Sequence, residues 1–113
     1  MGVKCEQYNQ VCVISLEGDL TGDNAQATRK KVEEQIDQRQ LVDFVVDFEK
    51  AGFVDSEGLE TLLWVKRRAE DLFGQLKLIN LDENVRKILE ITRLDEQVAL
   101  FESVIDAVKS YQE

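Results

Sequence analysis

Hydrophobic and polar positions along this chain change their period several times, and each change marks an element. Val3 to Tyr8 and Val11 to Glu17 carry β-forming residues on either side of Asn9-Gln10, which predicts two strands joined by a tight turn. Gly18, Gly22, Asp23 and Asn24 mark a loop ending in a helix cap. The helix after it carries Ala25, Val32 and Ile36 on one face, with Arg29, Lys30, Lys31, Glu33 and Glu34 around the remainder. Leu41 to Phe48 is short and nearly continuous in apolar residues, the pattern of a central strand covered on both faces.

From Ser56 the period becomes helical. Leu59, Leu62, Leu63, Ala69 and Phe73 share a face, and Gly74 closes the helix as a C-terminal glycine. Leu76 to Leu81 predicts another buried strand. Asp82 then caps a helix carrying Val85, Ile88 and Leu89 inward. Val98 to Phe101 is a last short strand, before an amphipathic helix with Ile105, Val108 and Tyr111 inward. The order is β-β-α-β-α-β-α-β-α. Strands alternating with helices of this length require crossovers, hence an α/β fold with a mainly parallel sheet.

The chain, residues 1–113, is read as one domain, and its 43% apolar content supplies a single core. It has no apolar stretch of membrane-spanning length and no basic-then-apolar leader, so a cytoplasmic, soluble protein without membrane insertion is expected. Glu6 stands where a myristoylation signal requires Ser or Thr. The net charge of −9 argues against nucleic acid and suits a basic protein surface, or simple solubility. Two cysteines and no histidine argue against a zinc site, and no metal or cofactor is expected. Cys5 and Cys12 flank the predicted hairpin turn, where they could meet. They are expected as reduced, partly buried thiols, since nothing signals an oxidising compartment.

The most informative segment is Phe53-Val54-Asp55-Ser56-Glu57-Gly58-Leu59, where a loop enters a helix. Either Asp55 or Ser56 can serve as the helix cap, and Gly58 leaves room in the first turn for a close approach. A nucleophilic Ser56 would need a base, and the chain has no histidine, no G-x-S-x-G elbow and no recognisable Ser–Lys spacing. No enzyme is expected. Phosphate on Ser56 would meet the helix N-terminus favourably, yet Asp55, Glu57 and a nearby Asp47 would surround it with negative charge. The local fold would then persist while a partner fitted to the neutral hydroxyl is repelled. At about 100° per residue, Glu60, Arg67 and Asp71 fall within about 60° of Ser56, with Trp64 just beyond. Trp64 is thus either an anchor of a partner surface or a tryptophan at the edge of the core.

Three motifs carry a family resemblance: Leu16-Glu17-Gly18-Asp19-Leu20, the run Val45 to Phe48 with Phe53 to Leu59, and the helical run Val85 to Leu94. In this order and spacing they resemble the STAS domain family of sulfate transporters and anti-sigma factor antagonists, over nearly the whole chain. The resemblance implies a STAS fold, a mixed sheet of four to five strands with about four α-helices mostly on one side. It also implies a bacterial, cytoplasmic phosphoprotein of transcriptional signalling. Its partners would be an anti-sigma factor serine kinase and a phosphoserine phosphatase. In such antagonists the unphosphorylated form binds the kinase and releases a sigma factor.

Ser56 matches the acceptor, with Asp55, Gly58 and Leu59 as its frame, and is read as both cap and switch. Partner contacts are expected from Asp55, Glu57, Gly58, Glu60, Trp64, Arg67, Thr21 and Asp23. Thr21 stands where antagonists usually carry Asp, with Asp23 two residues on, and Glu57 replaces a small or hydroxylated residue. The alternative is a constitutive adaptor in a sensory or transporter-associated complex. A monomer is expected, a weak dimer being the other possibility.

Overall fold

The computed structural model describes residues 2–111; Met1, Gln112 and Glu113 of the expected 1–113 span lie outside the described residues. Strands β1 (Gly2–Tyr8) and β2 (Val11–Glu17) form an antiparallel hairpin running from the Gly2–Glu17 pair to the Tyr8–Val11 pair. Asn9 in its two-residue turn has φ +55°, a conformation asparagine tolerates better than most residues. Strands β3 (Asp43–Asp47), β4 (Leu76–Ile79) and β5 (Ala99–Phe101) then add in parallel, giving a five-stranded mixed sheet in the order 1-2-3-4-5.

That order dictates where the helices go. Each parallel crossover steps one strand in the same direction, and right-handed crossovers of that kind all fall on one face of the sheet. Helices α1 (Gly22–Arg39), α2 (Ser56–Asp71) and α3 (Glu83–Ile91) accordingly share a face. Cys12, Ile14, Phe44, Val46 and Leu78 meet Val32, Leu62, Val65 and Leu89 there. Helix α4 (Val104–Ser110) follows the last strand and is no crossover. It covers the opposite face, where Val11, Val13, Val45 and Ile79 pack on Ala107 and Val108. The period-2 alternation of β2, β3 and β4 feeds both layers.

Lys77 shows what the second layer does with an inward charge. Its Nζ lies 3.8 Å from the Tyr111 ring centroid and 5.5 Å from that of Phe101, and it donates to Ser110 Oγ. The Tyr111 hydroxyl lies 2.8 Å from the carbonyls of both Phe44 and Gln75, tying the end of α4 to β3 and β4. Burial, with Asp43 nearby, pushes that phenol above its ordinary range.

Four local expectations are corrected. Helix α1 begins at Gly22, with Thr21 at the capping position, so Asp23 and Asn24 belong to its first turn. Helix α2 ends at Asp71, and Phe73, expected inward, is 99% exposed. It is Phe73, at φ +68°, that takes the left-handed position after this helix. Phe73 N–H bonds to Glu70 O and Gly74 N–H to Ala69 O, a Schellman closure. Gly74 lacks a side chain for another reason: a Cβ there would lie 1.8 Å from Val42 O. Ile105 also faces outward, at 65% exposure, while Ala107 joins Val108 inside. A 3-10 turn at Leu94–Glu96 precedes β5.

Candidate functional site

The chain's two best-defined loop motifs meet at the C-terminal end of the sheet. Leu20 and Val54 form an isolated parallel bridge beyond β2 and β3, in which Leu20 N–H bonds to Phe53 O at 3.0 Å. Gly58 is the contact's centre. A Cβ on it would lie 2.1 Å from Leu20 O and 2.8 Å from Val54 Cγ1, so only glycine lets the first turn of α2 rest on this bridge. The close approach allowed by Gly58 is therefore made by the chain's own backbone.

Asp55 and Ser56 divide the work at the helix start. Asp55 is the N-cap, its Oδ1 accepting the Gly58 N–H at 2.8 Å. Ser56 is the first helical residue and is exposed, and among the described residues its hydroxyl has no hydrogen-bond partner. The expectation that Ser56 also serves as the cap is corrected, because Asp55 already occupies the Gly58 donor. The result is a free, solvent-facing hydroxyl at the positive end of a 16-residue helix, held on a backbone that cannot drift from Leu20.

The remaining predicted residues fall into two neighbourhoods. Thr21, its side chain making no cap bond, lines an open depression with Asp19, Asp23 and Asn24. Glu57 is exposed beside Ser56. Further along α2, Glu60, Trp64 and Arg67 line a second open depression with Arg29 and Leu63. Trp64 is half-buried against the main core, the edge-of-core alternative, and still presents a face to this depression. The Arg29 guanidinium sits 5.5 Å from its ring centroid and donates to buried Thr61 Oγ1 at 3.0 Å. Gly58 itself is buried and acts by positioning its neighbours. Asp47, expected close to the serine, accepts from Glu49 N–H and Asn80 Nδ2.

Residues missed in the sequence fix the loop before Ser56. Asp19 Oδ1 accepts the Gly52 N–H at 2.9 Å, and Asn84 Nδ2 donates to Gly52 O at 2.7 Å. Asp19 carries a sequence signal, since it lies within the Gly18-Asp19-Leu20 motif; nothing in the sequence singles out Asn84 or Arg29. Among the described residues no group of three or more Cys, Asp or Glu side chains converges as metal ligands would. No described helix is long and apolar enough to cross a membrane.

The STAS domain family model matches residues 3–107. An anti-sigma F factor antagonist of Paenibacillus polymyxa is 21% identical over 106 residues, covering 94% of this chain and 91% of the relative. The unphosphorylated form of the anti-sigma factor antagonist SpoIIAA superposes with a TM-score of 0.85 at 24% identity, over 97% of this chain and 96% of that one. The murine Solute Carrier 26 family member A9 anion transporter also matches, with a TM-score of 0.77 at 22% identity. That match covers 95% of this chain but 18% of the transporter. At these identities the structural likenesses establish the fold.

Proposed function

The chain belongs to the STAS domain family, and from that premise we propose that it is a phospho-regulated protein-binding module of the anti-sigma factor antagonist kind. The observation that carries this reading is the free, exposed Ser56 hydroxyl beside an Asp55 that has taken over the capping. A serine needed as a cap would lose local stability when modified; this one is spare. In the proposed reaction Ser56 Oγ forms a bond to the γ-phosphorus of ATP as the β–γ bridging bond breaks. ADP leaves, and the hydroxyl proton passes to a base on the kinase.

The chain is then a substrate and a ligand, not an enzyme. The unphosphorylated form binds an anti-sigma factor serine kinase and so releases a sigma factor; a phosphoserine phosphatase restores it. Phosphate adds about two negative charges beside Asp55, Glu57 and Glu60, at a helix end that tolerates them. The fold persists while the docked kinase is repelled. The contact surface comprises Thr21 and Asp23, then Asp55, Glu57, Glu60, Trp64 and Arg67, in a cytoplasmic one-domain protein.

Incubation with cognate kinase and ATP should place a phosphate on Ser56, and none on Ser56→Ala, by mass spectrometry of peptides. Phosphate elsewhere, or none, overturns the reading. Glu57 favours a second reading, a constitutive adaptor, because its carboxylate already places negative charge beside the acceptor. Equal partner binding by wild type and Ser56→Asp would select the adaptor.

A further inference from the structure

The hairpin register places Cys5 opposite Ile14 and Cys12 opposite Gln7, so the two cysteines are diagonal neighbours on adjacent strands. Both point to the face covered by α1, and their Sγ atoms lie 2.7 Å apart. The two sulfurs therefore stand within reach of a disulfide bond, whose length is about 2.05 Å. The two thiols are free and unequally placed. Cys12 is fully buried in the main core, whereas Cys5 is half-buried on the edge strand of the sheet.

Their electrostatic surroundings differ in the same sense. The contact with Cys12 holds the Cys5 thiol below its ordinary value, against burial and Glu6, with Lys31 and Arg39 of α1 adding to the effect. Arg39 is kept over β1 by donating to Gln7 Oε1 at 3.1 Å. The same contact, together with burial, pushes Cys12 upward. A half-buried thiol whose ionisation is favoured, beside a second thiol within bonding reach, is the arrangement that oxidant-sensing cysteines share.

We propose that Cys5 and Cys12 form a hydroperoxide-reactive dithiol, with Cys5 the attacking sulfur and Cys12 the resolving one, which closes a reversible cross-strand disulfide. The Cys5 thiolate attacks one oxygen of hydrogen peroxide. The O–O bond breaks, Cys5 becomes a sulfenic acid, and the departing hydroxide takes up a proton to leave as water. Cys12 sulfur then attacks Cys5 Sγ, the S–O bond breaks, and the Cys12 proton leaves with the hydroxyl as a second water. Two thiols lose two electrons in total and one peroxide is reduced to two waters. A dithiol reductant reverses the bond by exchange. In a reducing compartment the thiol pair is the resting form and the disulfide marks exposure to oxidant. The proposal does not depend on Ser56.

The test uses the whole chain. Native protein is treated with equimolar hydrogen peroxide, denatured, labelled with maleimide and weighed intact. The expected product is monomeric, lighter than the reduced chain by two hydrogens and unlabelled, and dithiothreitol restores two maleimide sites. Cys5→Ser should slow peroxide consumption at least about tenfold, and Cys12→Ser should leave a sulfenic acid on Cys5 that dimedone traps. Because Cys12→Ser puts a hydroxyl into the core, the wild-type mass and Cys5→Ser suffice for the test. Two labelled thiols after peroxide, over-oxidised Cys5 without a crosslink, or a disulfide formed only between chains would each overturn it.

Discussion

Replacing Gly58 by alanine pits helix preference against the packing at the candidate site. In an open helical position the change should stabilise by about 0.5–1 kcal/mol, because alanine costs less backbone entropy. Here the new Cβ would lie 2.1 Å from Leu20 O and 3.1 Å from Leu20 C, both backbone atoms of a bridged segment that cannot rotate away. Restoring an ordinary contact means moving the start of α2 by about 1 Å, which loosens the Asp55 cap and the Leu20–Val54 bridge. Overpacking costs about 1–3 kcal/mol, and a contact with backbone belongs at the upper end. Subtracting the alanine gain leaves a net loss of about 2 kcal/mol. With a urea slope of about 2 kcal/mol per molar for a chain of this size, the midpoint should fall by about 1 M. Equilibrium urea unfolding followed by Trp64 fluorescence reads this directly. An unchanged or higher midpoint would show that α2 does not rest on Leu20, and would refute the geometry assigned to Ser56.

Three further substitutions test the surroundings. Asp55→Ala should cost about 1 kcal/mol through loss of the cap, whereas Ser56→Ala should stay within about 0.5 kcal/mol, in the same unfolding assay; the reverse order would return the cap to Ser56. Phe73→Gly should raise stability or leave it unchanged, since the left-handed position costs a non-glycine residue about 1 kcal/mol and this ring buries nothing. A loss above about 1 kcal/mol would mean that Phe73 packs inward after all.

The layered architecture is legible in the sequence because it rests on local periodicity. Phe44 to Val46 fill both faces of a central strand, as a continuous apolar run should, and the even spacing of crossovers leaves few other arrangements. Local pattern misleads where a residue's role depends on a distant segment. Gly74 closes α2 as a C-terminal glycine, but Phe73 takes the left-handed position, and the missing side chain of Gly74 makes room for Val42, thirty-two positions earlier in the chain. Phe73 continues an amphipathic pattern past the end of α2, and Ile105 lies on the outward side of the first turn of α4, whose inner face is Ala107 and Val108. At the site, the D-S-x-G-L string located Ser56 and the need for space at Gly58. It gave no hint that Leu20 fills that space or that Asn84 holds Gly52 from α3. Arg29 carries no signal in the sequence because its importance comes from the α1–α2 packing that puts it over Trp64.

In the proposed switch, charge on Ser56 dismisses the partner without disturbing the fold. Calorimetric titration of the cognate anti-sigma factor kinase with wild type, Ser56→Ala and Ser56→Asp tests it most directly, with far-UV circular dichroism and thermal unfolding as the folding control. Near-equal affinity is expected for wild type and Ser56→Ala, and a loss of at least about tenfold, or 1.4 kcal/mol, for a folded Ser56→Asp. Wild-type affinity in Ser56→Asp would contradict it.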